Sequence, residues 1–277
     1  MTARRILSYI DESSPIHSLS GAAKLIVFLM WSILVMVSFI TPVLLALAVM
    51  GLIFFAISKV RFADISFVIK MMALFMILNL AAIYLFSPEQ GVIIYGTRNV
   101  IAEGWGRFTL TAEQLFYEFN ILLKYITIIP PAMLLIVTTH PSEFAASLNR
   151  IGVPYTAAYA VSLTLRYIPD IQRDFEAISQ SQQARGLELS RKASWIRRLK
   201  RIAPLLLPLI FSSIARIDVI SRAMELRGFG KHPKRSWYRA RPFSRADIIT
   251  LVISAALFAV GLWLTFRGGN RFFNPFH

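Results

Sequence analysis

The fold is decided by a charge-free segment, LIVFLMWSILVMVSFITPVLLALAVMGLIFFAIS, which occupies residues 25–58. A helix needs about 20 apolar residues to cross the hydrocarbon of a bilayer, so this segment is long enough to cross twice. Pro42 removes a backbone donor and disfavours helix at the residue before it, which predicts a break at Thr41-Pro42. We therefore predict two membrane spans here, at about residues 25–40 and 43–58.

Three further charge-free segments, residues 71–88, 125–142 and 248–266, each have about the length of one crossing. The composition agrees, because 56% of the residues are hydrophobic and only 16% are charged, a balance too apolar for an ordinary soluble domain. The absence of cysteine excludes disulfides and thiolate metal sites. The chain is thus predicted to be an all-α, polytopic membrane protein with about five transmembrane helices.

The basic residues are concentrated in one part of the chain. Of the net charge of +15, residues 139–247 carry +11, from 19 basic and 8 acidic residues. Short loops rich in lysine and arginine stay on the cytoplasmic side of a membrane, so this region and the N-terminus are predicted to be cytoplasmic. The predicted division is residues 1–138 with the first four spans, 139–246 as a cytoplasmic region, and 247–277 with the last span and the tail.

The cytoplasmic region contains two apolar runs, residues 151–165 and 202–215, that are too short for a crossing. We predict that they lie along the inner membrane surface. Two long amphipathic helices are also predicted, one over residues 170–185 and one that follows Pro208 and ends near residue 227. The stripe at helical spacing consists of Ile171, Phe175, Ile178 and Gln182 on the first helix, and of Ile210, Ile214, Ile217 and Met224 on the second.

Each amphipathic helix ends in a short arginine-glycine signature, Ala184-Arg185-Gly186 in the first and Leu226-Arg227-Gly228 in the second. Glycine is the residue best suited to the left-handed conformation that follows the last turn of a helix. The arginine before it is therefore predicted to stand at a helix tip and to reach outward. One such signature is usually only a helix cap with a cation matched to the helix dipole, whereas two in one basic region favour a binding role.

Together these features resemble the transmembrane T component of energy-coupling factor transporters, the vitamin and micronutrient importers of bacteria and archaea. The resemblance extends over essentially the whole chain, and the paired arginine signatures are its most specific part. It also includes Ser-Pro-Ile-His at residues 14–17, FTLTAEQL at 108–115 and Pro-Ser-Glu-Phe at 141–144. Two positions depart from the family pattern: Leu226 replaces the usual alanine, and Ser-Gly-Ala-Ala at 20–23 replaces Asp-Pro-Arg.

The resemblance implies that Arg185 and Arg227 each enter a groove on one of two ATP-binding-cassette subunits. It also implies that the amphipathic faces hold a small substrate-binding membrane subunit, the S component, to which the chain transmits ATP-driven motion. The chain would lie in the bacterial cell membrane with its coupling helices in the cytoplasm. Because the S component recognises the transported compound, the resemblance does not identify that compound.

No Walker motif is present and the four histidines show no metal-ligand spacing, so we predict no catalytic residue, metal or cofactor in this chain. The basic cluster at residues 197–201 is predicted to bind anionic lipids, and no nucleic-acid partner is expected because no binding module accompanies it. Two alternatives stay open. A self-sufficient secondary transporter or channel would carry ionisable groups or broken helices at mid-membrane, and a membrane-bound enzyme would need a nucleophile-base or metal constellation.

Overall fold

The computed structural model describes residues 14–60, 62–104, 108–186, 202–232, 236–238, 240–267 and 272–276. The predicted lipid-binding cluster at 197–201 lies outside the described residues. Within them the chain is mostly helical and has almost no strand, which confirms the all-α prediction. The helices are α1 (Pro15–Ser18), α2 (Gly21–Val37), α3 (Thr41–Ile57), α4 (Phe62–Phe86), α5 (Gln90–Tyr95), α6 (Ala112–Thr138), α7 (Pro141–Arg150), α8 (Tyr155–Ala184), α9 (Ala203–Leu226) and α10 (Arg245–Phe266), and an antiparallel hairpin pairs β1 (Val100–Ala102) with β2 (Leu110–Thr111).

The chain forms two compact units. The first contains Met1–His140 with Arg241–His277, and the second contains Pro141–Ala240. Helices α1 to α6 and α10 belong to the first unit, whereas α7 to α9 belong to the second. The three-part division suggested by the charge distribution stays a prediction.

Five helices of the first unit overlap the predicted spans, although α4 and α6 begin earlier than predicted, at Phe62 and Ala112. Three of them, α4, α6 and α10, contain segments long and apolar enough to cross a membrane. The other two, α2 and α3, have 17 residues each, or about 26 Å at 1.5 Å per residue, slightly less than a hydrocarbon core of about 30 Å. The break between them lies where it was predicted, because α3 begins at Thr41 with Pro42 in its first turn.

A helix of the second unit also meets the length and composition requirement for a crossing. Helix α9 has 24 residues because it continues beyond the uncharged run into a charged second half. The argument that residues 202–215 are too short to cross was therefore wrong. That α9 lies outside the hydrocarbon stays a prediction. The four charged residues of its second half favour it: Arg216, Asp218, Arg222 and Glu225.

Two apolar clusters hold the first unit together, one around α2, α3 and α6 and one around α3, α4 and α6. The first consists of Trp31, Leu34, Val35, Leu44, Leu47, Ala48 and Leu123. The second consists of Phe55, Val60, Ile65, Met133, Leu134 and Val137. The apolar surface extends well beyond these clusters, since the candidate crossing of α4 is 0% buried. Such a surface suits contact with lipid or with another membrane subunit.

A buried carboxylate joins the N-terminal ends of α2 and α10. Asp247 is 1% exposed, and its carboxylate accepts hydrogen bonds from the backbone N–H of Ser20 and that of Ser244, both at 2.8 Å. The Ser244 hydroxyl in turn accepts from the Asp247 N–H, which completes a capping box. One charged side chain thus satisfies backbone donors at the start of two helices.

Two prolines of the second unit lie inside helices rather than at their starts. Helix α8 has 30 residues and contains Pro169, and α9 contains Pro208. The sequence pattern predicted an amphipathic helix starting near each proline, but the helices begin earlier, at Tyr155 and Ala203. An internal proline removes one backbone hydrogen bond, and the apolar residues before it continue the helix because they still have their own donors. The two helices are consequently about 45 Å and 36 Å long.

Candidate functional site

The first arginine signature forms the end of α8, as predicted. The helix ends at Ala184, and the backbone N–H of Arg185 donates to the carbonyl oxygens of Ser181 at 3.3 Å and Gln182 at 3.1 Å. Gly186 follows with a φ of +87°. A Cβ placed on Gly186 would meet nothing within 4 Å, so the backbone conformation, and not lack of space, is what favours glycine there.

The second signature ends α9 in the same way. Leu226 is the last helical residue, and Gly228 has a φ of +65°. The N–H of Gly228 donates to the Glu225 carbonyl oxygen at 2.8 Å, and the N–H of Phe229 donates to that of Met224 at 2.9 Å. This pair of hydrogen bonds defines the Schellman motif. The left-handed glycine predicted at both helix ends is therefore confirmed.

Both signatures present their side chains to the surface. Ala184, Arg185, Leu226 and Arg227 are all exposed, and the Leu226 side chain is exposed to 90%. A long cation at the C-terminal end of a helix is also favoured there by the partial negative charge of the last carbonyls. Each helix thus ends in an accessible guanidinium group whose backbone position is set by the following glycine.

An aromatic cluster lies directly after the second signature. The Phe229 ring packs against the rings of Tyr155 and Tyr159 at the start of α8, with centroid distances of 5.7 and 4.8 Å. Trp237 packs on the same two tyrosines at 5.4 and 6.2 Å, and its indole N–H donates to Asn149 Oδ1 at 3.1 Å. This cluster ties the end of α9 to the start of α8. No motif in the sequence predicted this cluster, and the pair of tyrosines four residues apart was the available signal.

The contacts between α8 and α9 show that the two helices run antiparallel. The end of α9 meets the start of α8 through Phe229, and farther along both helices Arg216 of α9 binds Asp174 of α8. Arg185 lies 11 residues beyond Asp174, and Arg227 lies 11 residues beyond Arg216. The two arginine tips are therefore at opposite ends of the helix pair, about 33 Å apart along it at 1.5 Å per residue.

Most residues of the two predicted stripes lie on exposed faces of α8 and α9. On α9, Ile210, Ile214 and Ile217 are 50%, 50% and 59% exposed, and on α8, Ile171 and Phe175 are each 40% exposed. Periodicity identifies an apolar stripe but does not say what covers it. The less exposed face of α9 consists of Leu205, Leu209, Ser213, Arg216, Ile220 and Met224.

Comparison with known proteins identifies the family. The family model of CbiQ, described as cobalt transport protein, matches residues 12–237. A Streptococcus thermophilus protein named energy-coupling factor transporter transmembrane protein EcfT is 29% identical over 266 residues, which cover 92% of this chain and 95% of the relative. Proteins with the same name from Heliobacterium modesticaldum and Brevibacillus brevis are 27% and 26% identical over 268 residues each, covering 92% and 93% of this chain and 95% and 97% of the relatives.

The family match covers most of the first unit up to His140 and nearly all of the second, including the two arginine signatures. A helical membrane chain with several apolar helices agrees with the transmembrane proteins that it resembles. The chain therefore belongs to the CbiQ family and is a transmembrane T component of an energy-coupling factor transporter.

Proposed function

We propose that this chain is the coupling subunit of an importer, in which it transmits the motion of two ATPases to a vitamin- or micronutrient-binding S component. One ATPase binds the tip with Arg185 and the other binds the tip with Arg227. The observation that carries the proposal is the pair of exposed arginines, each held by a left-handed glycine, at opposite ends of two antiparallel helices.

Arginine suits this attachment because its planar guanidinium presents five donors in a rigid fork. It binds a carboxylate through two parallel hydrogen bonds and has donors left for backbone carbonyls in a groove. Lysine carries the same charge but lacks this geometry. Two tips of one kind suit two copies, or two related versions, of one ATPase.

The length of α8 and α9 supports transmission of movement. At about 45 and 36 Å, the helices are long enough that a rotation at one tip displaces the far end by many ångströms. Closure of the ATPase pair on ATP would move the tips, and the helices would carry that movement to the S component.

The outward apolar faces of α8 and α9 support binding of a membrane subunit. Phe211, Ile217 and Val219 of α9 are 67%, 59% and 69% exposed. Exposed apolar surface of this extent marks sites that contact lipid or another protein. The S component is the partner that we assign to it, with the basic second unit and the N-terminus in the cytoplasm.

Alanine variants of the two arginines test the proposal. We expect Arg185→Ala with Arg227→Ala to abolish uptake and ATPase co-purification, because loss of one partner of a buried charged pair costs about 2 to 5 kcal/mol. Arg222→Ala is the matched control, since Arg222 is exposed on α9 only five residues before Arg227. Normal ATPase attachment in the double variant would reject the proposal.

The alternative, a self-sufficient secondary transporter or channel, has a separate test. Secondary transporters and channels tend to place charged or titratable groups at mid-membrane. The segments 25–58 and 71–88 contain no Asp, Glu, Lys, Arg or His. The purified chain alone, reconstituted in liposomes under an ion gradient, is expected to transport nothing. Transport under those conditions would favour the alternative.

A further inference from the structure

We infer that the contact between Asp174 and Arg216 sets the register of α8 against α9, and thereby the separation of the two arginine tips. The Arg216 guanidinium donates to the Asp174 carboxylate and lies 6.0 Å from the centroid of the Tyr167 ring, within cation–π distance. The charged side chains of Arg216 and Asp174 are 34% and 31% exposed, so solvent has limited access to the pair.

The geometry of this contact determines one register. Tyr167 and Asp174 are seven residues apart on α8, so they lie two turns apart on the same face. Arg216 therefore contacts α8 along about 10 Å of its length. A slide of α9 by one helical turn, about 5.4 Å, would move the Arg216 guanidinium away from both the Asp174 carboxylate and the Tyr167 ring.

Within the helix itself, the rest of the less exposed face of α9 provides little of this selectivity, and the aromatic contacts of Phe229 lie beyond the helix end. Its less exposed residues other than Arg216 are Leu205, Leu209, Ser213, Ile220 and Met224, of which only the serine is polar. Apolar side chains pack against one another in several registers, whereas a charged pair within an apolar seam favours the one register that keeps it together. An ion pair of this exposure adds little to stability. A shifted register would, however, leave both charges unpaired within the apolar seam, and that cost favours the present register.

The position of the pair connects it to the coupling site. It lies 11 residues from each arginine tip, one tip in each direction. A change of register at Asp174 and Arg216 would therefore change the spacing of both tips together. This consequence for ATPase docking rests on the proposed function, whereas the register itself does not.

Distance measurements by pulsed electron paramagnetic resonance test the inference on the purified chain without ATPases. The chain contains no cysteine, so Gln183→Cys and Glu225→Cys would carry the only two spin labels. Both positions are exposed and lie nine residues beyond the pair, about 27 Å apart along the helices. We expect one narrow distance distribution in this labelled chain.

Variants of the pair should change that distribution. Asp174→Arg is expected to broaden it or to shift its mean by about one helical turn, roughly 5 Å. Adding Arg216→Asp to Asp174→Arg exchanges the two charges, so the pair is again oppositely charged and the narrow distribution should return. Asp174→Ala serves as a second variant if Asp174→Arg does not fold. Arg173→Ala, which removes the exposed 3.4 Å pair with Asp170, is the control and should leave the distribution unchanged.

An unchanged narrow distribution in Asp174→Ala or Asp174→Arg would overturn the inference. A broadened distribution that the reciprocal exchange does not narrow would also overturn it, because a contact that sets register must be recovered when its charges are exchanged. Neither result depends on ATPase binding, so the proposed function can fail or stand independently, as judged with the Arg185 and Arg227 variants.

Discussion

Substitutions at Gly186 test whether the left-handed backbone presents Arg185 correctly. Gly186 has a φ of +87°, and a Cβ there would meet no atom within 4 Å. The effect of a substitution should therefore follow the tolerance of each residue for the left-handed region, and not its size. We expect the order glycine, asparagine, alanine, valine, because asparagine enters this region more readily than other L residues and β-branched residues least readily.

The size of the expected loss in ATPase affinity follows from the backbone conformation alone. The left-handed conformation costs an L residue about 1 to 2 kcal/mol, and no steric term is added at this open position. If an ATPase binds only the correctly terminated tip, Gly186→Ala should weaken its binding about 5- to 30-fold. Gly186→Asn should weaken it less than Gly186→Ala.

The assay is the affinity of each purified variant for the purified ATPase, measured by titration in detergent or nanodiscs. Gln183 provides the matched control, because it is an exposed residue of the last turn of α8 with ordinary helical geometry. Alanine is a better helix former than asparagine, so Gln183→Ala should be tolerated better than Gln183→Asn, the reverse of the order at Gly186.

Two results would refute this reasoning. If the ATPase bound the unsubstituted chain and the Gly186→Ala variant with equal affinity, the backbone conformation at this tip would not matter for docking. An order at Gly186 that follows side-chain volume would show that the partner's surface, and not φ, limits the residue. Either result would leave the role of the Arg185 side chain to be judged by its own variants.

Two further predictions concern stability. Phe229→Ala should increase amide hydrogen exchange in the last turn of α9 and leave exchange in the last turn of α8 unchanged. It removes ring contacts with Tyr155 and Tyr159 that contribute about 0.5 to 1.5 kcal/mol each. An equal increase in exchange in both last turns would contradict this prediction. Asp247→Ala should lower the thermal unfolding temperature and reduce the free energy of unfolding by about 3 to 6 kcal/mol, because hydrogen bonds to a charged acceptor contribute about 1.5 to 3 kcal/mol each. Two of them are lost, those from the N–H groups of Ser20 and Ser244. An unchanged unfolding temperature would show that these donors find other acceptors.

The interactions that the sequence analysis missed are those between distant residues. Arg216 and Asp174 are 42 residues apart, and Trp237 and Asn149 are 88 residues apart. The sequence around Asp174 contains no sign of its partner on α9. The same limitation applies to the stripes of α8 and α9, because Ile171 and Ile214 fit an amphipathic pattern equally well on an inner or an outer face.

Local chemistry explains why the sequence alone determined the helical membrane class, the break before Pro42 and the left-handed glycines at both helix ends. Hydropathy, proline and glycine act through the solvent and through the backbone of one or two residues, so each acts in the same way wherever the chain folds. Only the tertiary structure decided the antiparallel pairing of α8 and α9, the faces that they bury and the opposite positions of the two arginine tips. These features depend on contacts between segments far apart in the chain, which exist only after the helices have packed against each other.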